Sequence, residues 1–152
     1  MAGKDYDPLK VAIHIAGQPV EGFADGTFIT VTRNAQTWTN QTGAGGESAR
    51  SKSNDKSGTV EITLMQTSAT NDLLSGLFLA DENVSGSGKF GFTLSDENGT
   101  TNITSTDMWV QQPPSVEFGK ELSDRVWTLE TGNLIYAAVG GSEEVFPLPE
   151  NL

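Results

Sequence analysis

The sequence contains no cysteine and a single histidine among its 152 residues. Disulfides, thiol nucleophiles and Cys-based zinc sites are therefore excluded. One histidine also makes a poor basis for a transition-metal centre. His14 falls on the polar side of an alternating stretch, with no visible partner to orient it as a general base, and reads as a surface residue. Positive charge is scarce: nine Lys and Arg stand against twenty Asp and Glu, a net charge of −11 at pH 7. Such a chain repels nucleic-acid phosphates, which argues against a DNA-binding domain but suits a surface that DNA slides past. Apolar residues make up 36%, below the usual soluble average, and no run approaches the length of a membrane span. Met1 to Pro8 lack the apolar stretch of a signal peptide, so the chain is expected to fold in the cytoplasm where it is made.

What is present is β patterning. Lys10 to Ile15 alternates, with Val11, Ile13 and Ile15 on one side. Asp25-Gly26 is a turn signal, and Thr27 to Arg33 is rich in β-branched residues. Thr59 to Gln66 alternates again through Val60, Ile62 and Leu64. A short helix should follow, capped by Ser68 or Thr70, with Asp72 in its first turn. Leu73, Leu74, Leu77 and Phe78 form its apolar face, and it should end near Ala80-Asp81. Lys89 to Ser95 and Thr100 to Val110 read as strands joined by an Asp-Glu-Asn-Gly turn. Pro113-Pro114 ends the second of them. Asp124 to Glu130 and Leu134 to Val139 read as the last strands. The reading is one mainly β domain over residues 1–152, a sandwich or barrel with one flanking helix. A long inter-strand loop spans about 34–58 and an extended C-terminal arm about 140–152.

Few residues suggest chemistry. The clusters Asp81-Glu82-Asn83 and Asp96-Glu97-Asn98-Gly99 lack calcium-loop spacing and read as turns. Gly86-Ser87-Gly88-Lys89 lacks the spacing of a phosphate loop. Twenty acids make chance carboxylate pairs common, so a glycosidase pair has no specific support. Trp38, Trp109 and Trp127 could form a sugar-binding platform. Trp127 lies in an alternating strand and reads as core, while Trp38, in the polar loop, reads as either an interface anchor or local packing. No enzyme activity and no cofactor or metal are expected.

The distribution of charge is more informative. Arg50, Lys52 and Lys56 are three of the nine basic residues and fall within one polar loop, whereas no basic residue follows Arg125. A basic loop on one copy could meet an acidic surface on the next, the head-to-tail contact that builds filaments.

The block Asp55 to Leu74, with its Gln-Thr-Ser-x-x-Asn helix start at Gln66 to Asn71, resembles phage tail-tube proteins, virion structural subunits of contractile-tailed phages. Arg125-Val126-Trp127 followed by Gly140-Gly141 is also similar. The resemblance implies a β-sandwich or barrel flanked by a helix. Six copies would close a ring through edge strands, and rings would stack into a hollow tube with an acidic lumen through which DNA passes without specific binding. The expected partners are the chain itself, tail sheath, tape measure and baseplate or tail-terminator proteins, with no membrane; the expected location is the virion tail, assembled in the host cytoplasm. The stacking residues implied are Trp38, Glu47, Arg50, Lys52, Asp55 and Lys56, and Glu61 and Glu130 are candidates for the lumen. The alternatives are a ring protein of a secretion or contractile injection system, a tail terminator, or a carbohydrate-binding β-module.

Overall fold

Alternate residues of each long strand are buried, as the sequence periodicity demands. The computed structural model describes residues 3–142 and 144–146. In chain order the elements are β1 (Gly3–Asp5), a 3-10 turn (Pro8–Lys10), β2 (Val11–Ile15), β3 (Gln18–Pro19), β4 (Ile29–Arg33), β5 (Trp38–Thr42), β6 (Ser48–Lys52) and β7 (Gly58–Met65). Then follow α1 (Thr70–Asn83), β8 (Phe90–Asp96), β9 (Asn102–Gln112), β10 (Asp124–Thr131), β11 (Ile135–Ala138) and β12 (Glu144–Phe146). The fold is mainly β with one helix.

The main sheet is antiparallel, in the order β3-β2-β8-β9-β10-β7-β4, with β11 beside the first half of β9. One short segment joins its two sides. The Val20 amide bonds Ile13 of β2, while Ala24 and Gly22 bond Thr63 and Met65 of β7. Phe23 also bridges to Leu64. Residues 18–24 thus connect β2 to β7 through backbone bonds and roll the sheet around its core. That core takes Ile13 and Ile15 from β2, Val60, Ile62 and Leu64 from β7, Phe90, Phe92 and Leu94 from β8, and Trp127 and Leu129 from β10.

Helix α1 closes one side of the core with Leu74, fully buried, and with Leu73, Leu77 and Phe78. It runs to Asn83, two residues past the expected stop. There the Asp81 carboxylate accepts the Gly86 and Gly88 amides. The amides that a phosphate loop would offer to an anion are therefore already bonded to an acidic side chain. At the other end, the cap position is Ala69, which has no side chain able to bond. The Ser68 hydroxyl accepts the Thr70 amide from one residue further out, and Thr70 instead accepts the Glu21 amide.

The Gln-Thr-Ser-x-x-Asn block has a packing explanation. Gln66 Oε1 accepts the Ser123 amide. Asn71 Nδ2 donates to the Met65 and Ser68 carbonyls, and its Oδ1 accepts the indole N–H of Trp127 at 2.9 Å. Ser68 also presses against Gly22, where φ is +74° and a Cβ would lie 2.6 Å from that of Ser68. The block fastens β7, α1 and β10 at one corner.

The root of the C-terminal arm is held across the β8–β9 turn. Asn98 bonds Asp96 and both backbone groups of Asp7. A Cβ on Gly99 would lie 1.6 Å from the Gly141 carbonyl oxygen, so this crossing requires glycine. The arm then continues as β12, which pairs antiparallel with β1. Residue 143 and residues 147–152 of the expected arm lie outside the described residues.

Candidate functional site

The long inter-strand segment carries a β-hairpin of its own, β5–β6, with Trp38 opposite Lys52 and Asn40 opposite Arg50. A polar run with a single tryptophan gave no alternating apolar signal, because this hairpin buries neither face: all ten strand residues are exposed. Its tip is glycine-rich. The Gly46 amide bonds Gly43 and the Gly43 amide bonds Glu47, with Gly46 at φ +83°.

The strand register places Trp38, Asn40, Arg50 and Lys52 on one face. The Arg50 guanidinium lies 3.9 Å from the centroid of the Trp38 ring. At an exposed site such a contact is worth about 0.5–1 kcal/mol, and the Ser48–Asn40 hydrogen bond at 2.7 Å stiffens the same face. Trp38 is nevertheless 45% exposed, so the stack leaves apolar area open to a partner.

The other residues expected in the loop have different surroundings. Glu47 is at the tip, where its carbonyl closes the turn. Asp55 and Lys56 are at the root. Hydrogen bonds from Ser57 hold the Asp55 carboxyl below its ordinary value, with a contribution from the Arg33 charge. The Lys56 carbonyl accepts the Leu134 amide. Arg33, which the sequence reading did not single out, anchors the same root. It donates to the Leu134 carbonyl, reaches Thr37 and lies 5.2 Å from the Tyr136 ring centroid. As the last residue of an alternating strand it had no distinguishing sequence signal.

Glu61 and Glu130 lie on adjacent strands, opposite Thr128 and Thr59 respectively. Glu61 is exposed and Glu130 half-buried. With Thr30 and Thr32 of β4, these rows form the outward face of β4-β7-β10, opposite the core side. The outward positions of the three strands are Thr, Glu, Asp, Met and Val, with no Lys or Arg among them. Val126 and Met65 are its apolar members, each 40% exposed.

Among the described residues, two edges of this sheet end without a partner strand. β4 is the last strand of the order. The pairing of β9 with β8 stops at Met108, so beyond that point β9 pairs with β10 alone. The three tryptophans do not meet in a platform. Trp127 is buried, Trp109 stands on the β9 strand 5.8 Å from the Lys89 ammonium, and Trp38 is on the hairpin. His14 is exposed, opposite Pro19.

A rolled antiparallel sheet with a flanking helix, an edge strand unpaired among the described residues and an exposed hairpin bearing Arg50 and Lys52 are features of the kind that assembling proteins use. The chain belongs to the Bacteriophage PhiTE tail tube protein family, whose profile matches residues 14–139. It is 28% identical over 156 residues to Structural protein ORF10 of Pseudomonas phage KPP10, covering 97% of this chain and 90% of that protein. Two solved structures share the fold. The sheath/tube terminator of the PVC extracellular contractile injection system has a TM-score of 0.59 at 10% identity, covering 88% of this chain and 97% of that one. The tube-terminating cap of the anti-feeding prophage has a TM-score of 0.57 at 8% identity, covering 89% and 92%. The role is that of a structural component of the phage tail, located in the virion and assembling with itself and other tail components.

Proposed function

We propose that this subunit closes into rings, six copies to a ring, that stack into a hollow tail tube through which DNA passes. The free β4 edge carries the proposal. In the β4–β7 ladder the amides of Asn34 and Thr63 bond Ser57 and Phe28. By alternation, the amides of Ile29, Val31 and Arg33 turn away from β7. β4 and β9 run in opposite directions across β4-β7-β10-β9, so β4 of one copy can add antiparallel to residues 109–112 of the next. Six four-stranded sheets would then join edge to edge, and the outward face bearing Glu61 and Glu130 would line the lumen. A face of threonines and carboxylates without cations gives phosphates nothing to bind. The hairpin, with Trp38, Arg50 and Lys52 on one face, would carry ring-to-ring contact, flanked by Glu47 at its tip and Asp55 and Lys56 at its root. Tail sheath, tape measure and baseplate or terminator proteins would meet the assembled tube, which would form in the host cytoplasm. The role requires no catalysis.

Negative-stain electron microscopy of the purified protein tests the proposal directly: stacked rings with an open channel are expected, and a protein that stays monomeric at high concentration would refute it. Charge reversal at Arg50 and Lys52 should shorten the tubes without unfolding the subunit. The structural likeness to two tube-ending proteins supports a second reading, a ring that caps a tube; single rings that never stack would favour it.

A further inference from the structure

We infer that the receiving surface for the hairpin is the platform formed by residues 113–124 of a second copy of this chain; the inference rests on the tube reading above. The platform and the hairpin root are at opposite ends of the same strands. Gly58 of β7 and Thr131 of β10 pair at the root end, and Met65 and Asp124 pair at the other. Eight strand residues separate the ends by about 23 Å. In a stack of identical rings, the root end of one copy faces the platform end of the next.

The two ends are complementary. The platform segment carries Glu117, Glu121 and Asp124 against one Lys120 before the start of β10. Arg125 does not offset them at the surface: it is 7% exposed, and its guanidinium is turned under the loop toward Ser123 Oγ at 2.7 Å and the Glu117 carbonyl at 3.3 Å. The same guanidinium lies 5.4 Å from the Phe118 ring, so one buried cation holds the loop in shape. The loop leaves Val116, Phe118 and Leu122 exposed, Phe118 by 79%. Such exposed apolar area within an acidic segment marks an interaction surface. Beside it a groove of about 370 Å³ is lined by Pro113, Pro114, Val116, Phe118 and Trp127, with the Arg125 side chain, engaged with the loop, at its wall. That is the size range in which pockets accept a bulky apolar group. The hairpin presents the matching set, a half-exposed indole with Arg50 and Lys52 around it. An aromatic anchor with cations beside it, opposite an apolar groove whose flanking segment carries Glu117, Glu121 and Asp124, sets register as well as contact.

The absence of native cysteine makes a clean test possible. Asn40→Cys and Val116→Cys copies are mixed, assembled and mildly oxidised. Disulfide-linked heterodimers are expected, several-fold above the homodimers that either variant forms alone. In a second arm, Arg50→Glu with Lys52→Glu shortens tubes, and adding Glu117→Lys with Glu121→Lys to the same chain restores their length to within about twofold of the parent, as complementary charges require. Circular dichroism checks that each variant is folded. Parental tubes of normal length, with neither crosslink nor rescue, overturn the inference, leave the tube reading intact and free the platform for another tail component. A parent chain that forms no stacked rings overturns both.

Discussion

Asn71 is the residue on which the most structure converges. Its amide satisfies the Met65 carbonyl at the end of β7, the Ser68 carbonyl before α1 and the buried indole of Trp127. Asn71→Ala leaves the Trp127 N–H unpaired beside the core, at a cost of about 1–3 kcal/mol. The melting temperature should fall by roughly 2–10 °C, read by thermal unfolding followed on tryptophan fluorescence; an unchanged melting curve would show that the corner is held by packing alone. Asp96 makes a different prediction. Burial pushes its carboxyl up, but hydrogen bonds from Ser142 and Asn98 outweigh burial and hold it below its ordinary value. A carboxylate depressed in the folded state adds stability at neutral pH, and that stability is lost as pH falls below the ordinary carboxylate range near about 4. Denaturant midpoints at pH 7 and pH 3 should therefore differ more for the parent than for Asp96→Asn, and equal differences would remove Asp96 from the acid response.

Among the elements, β4 and the β5–β6 hairpin stand out because neither is fully used within the subunit. The Val31 amide points away from the β4–β7 ladder, and proline is tolerated on an edge strand where the lost donor faces outward. Val31→Pro should leave a folded monomer, somewhat less stable because Val31 packs partly against the core. It should abolish ring formation in size-exclusion chromatography; intact rings would mean that β4 is not the joining edge. The hairpin was only half legible in sequence. Its length, polarity and basic residues marked it as a candidate for ring-to-ring contact, and its β pairing did not show because no face is buried to impose alternation. Helix α1 was more legible, since its apolar spacing needs no partner to be read. Its capping was not, because Ser68 acts from outside the cap position and Thr70 is drawn to Glu21.

At the scale of the molecule, charge is sorted along the strands and across the sheet. Cations gather at the hairpin end, acids gather at the 113–124 end, and the outward face of β4-β7-β10 carries acids alone among its charged residues. If that face lines the lumen, Glu61→Lys with Glu130→Lys should leave tubes intact yet make them retain duplex DNA. Co-sedimentation should then rise above the parent at low salt and fall steeply as salt is added. Retention equal to the parent would place these residues elsewhere.

The sequence by itself determined the β character, the helix, the lack of thiol chemistry and the asymmetry of charge, because composition and local periodicity carry those properties. The block from Asp55 to Leu74 carried the family likeness for the same reason: it encodes a corner in which Gln66, Ser68, Thr70 and Asn71 each have fixed partners. Tertiary structure alone decided which charges share a face. Glu61 and Glu130 are 69 positions apart in sequence and become neighbours only through the β7–β10 register. Arg33 meets Leu134 only through the fold, and residues 18–24 join β2 to β7 only because the sheet rolls. Long-range register is set by burial on one face of each strand, and the chain order does not record it.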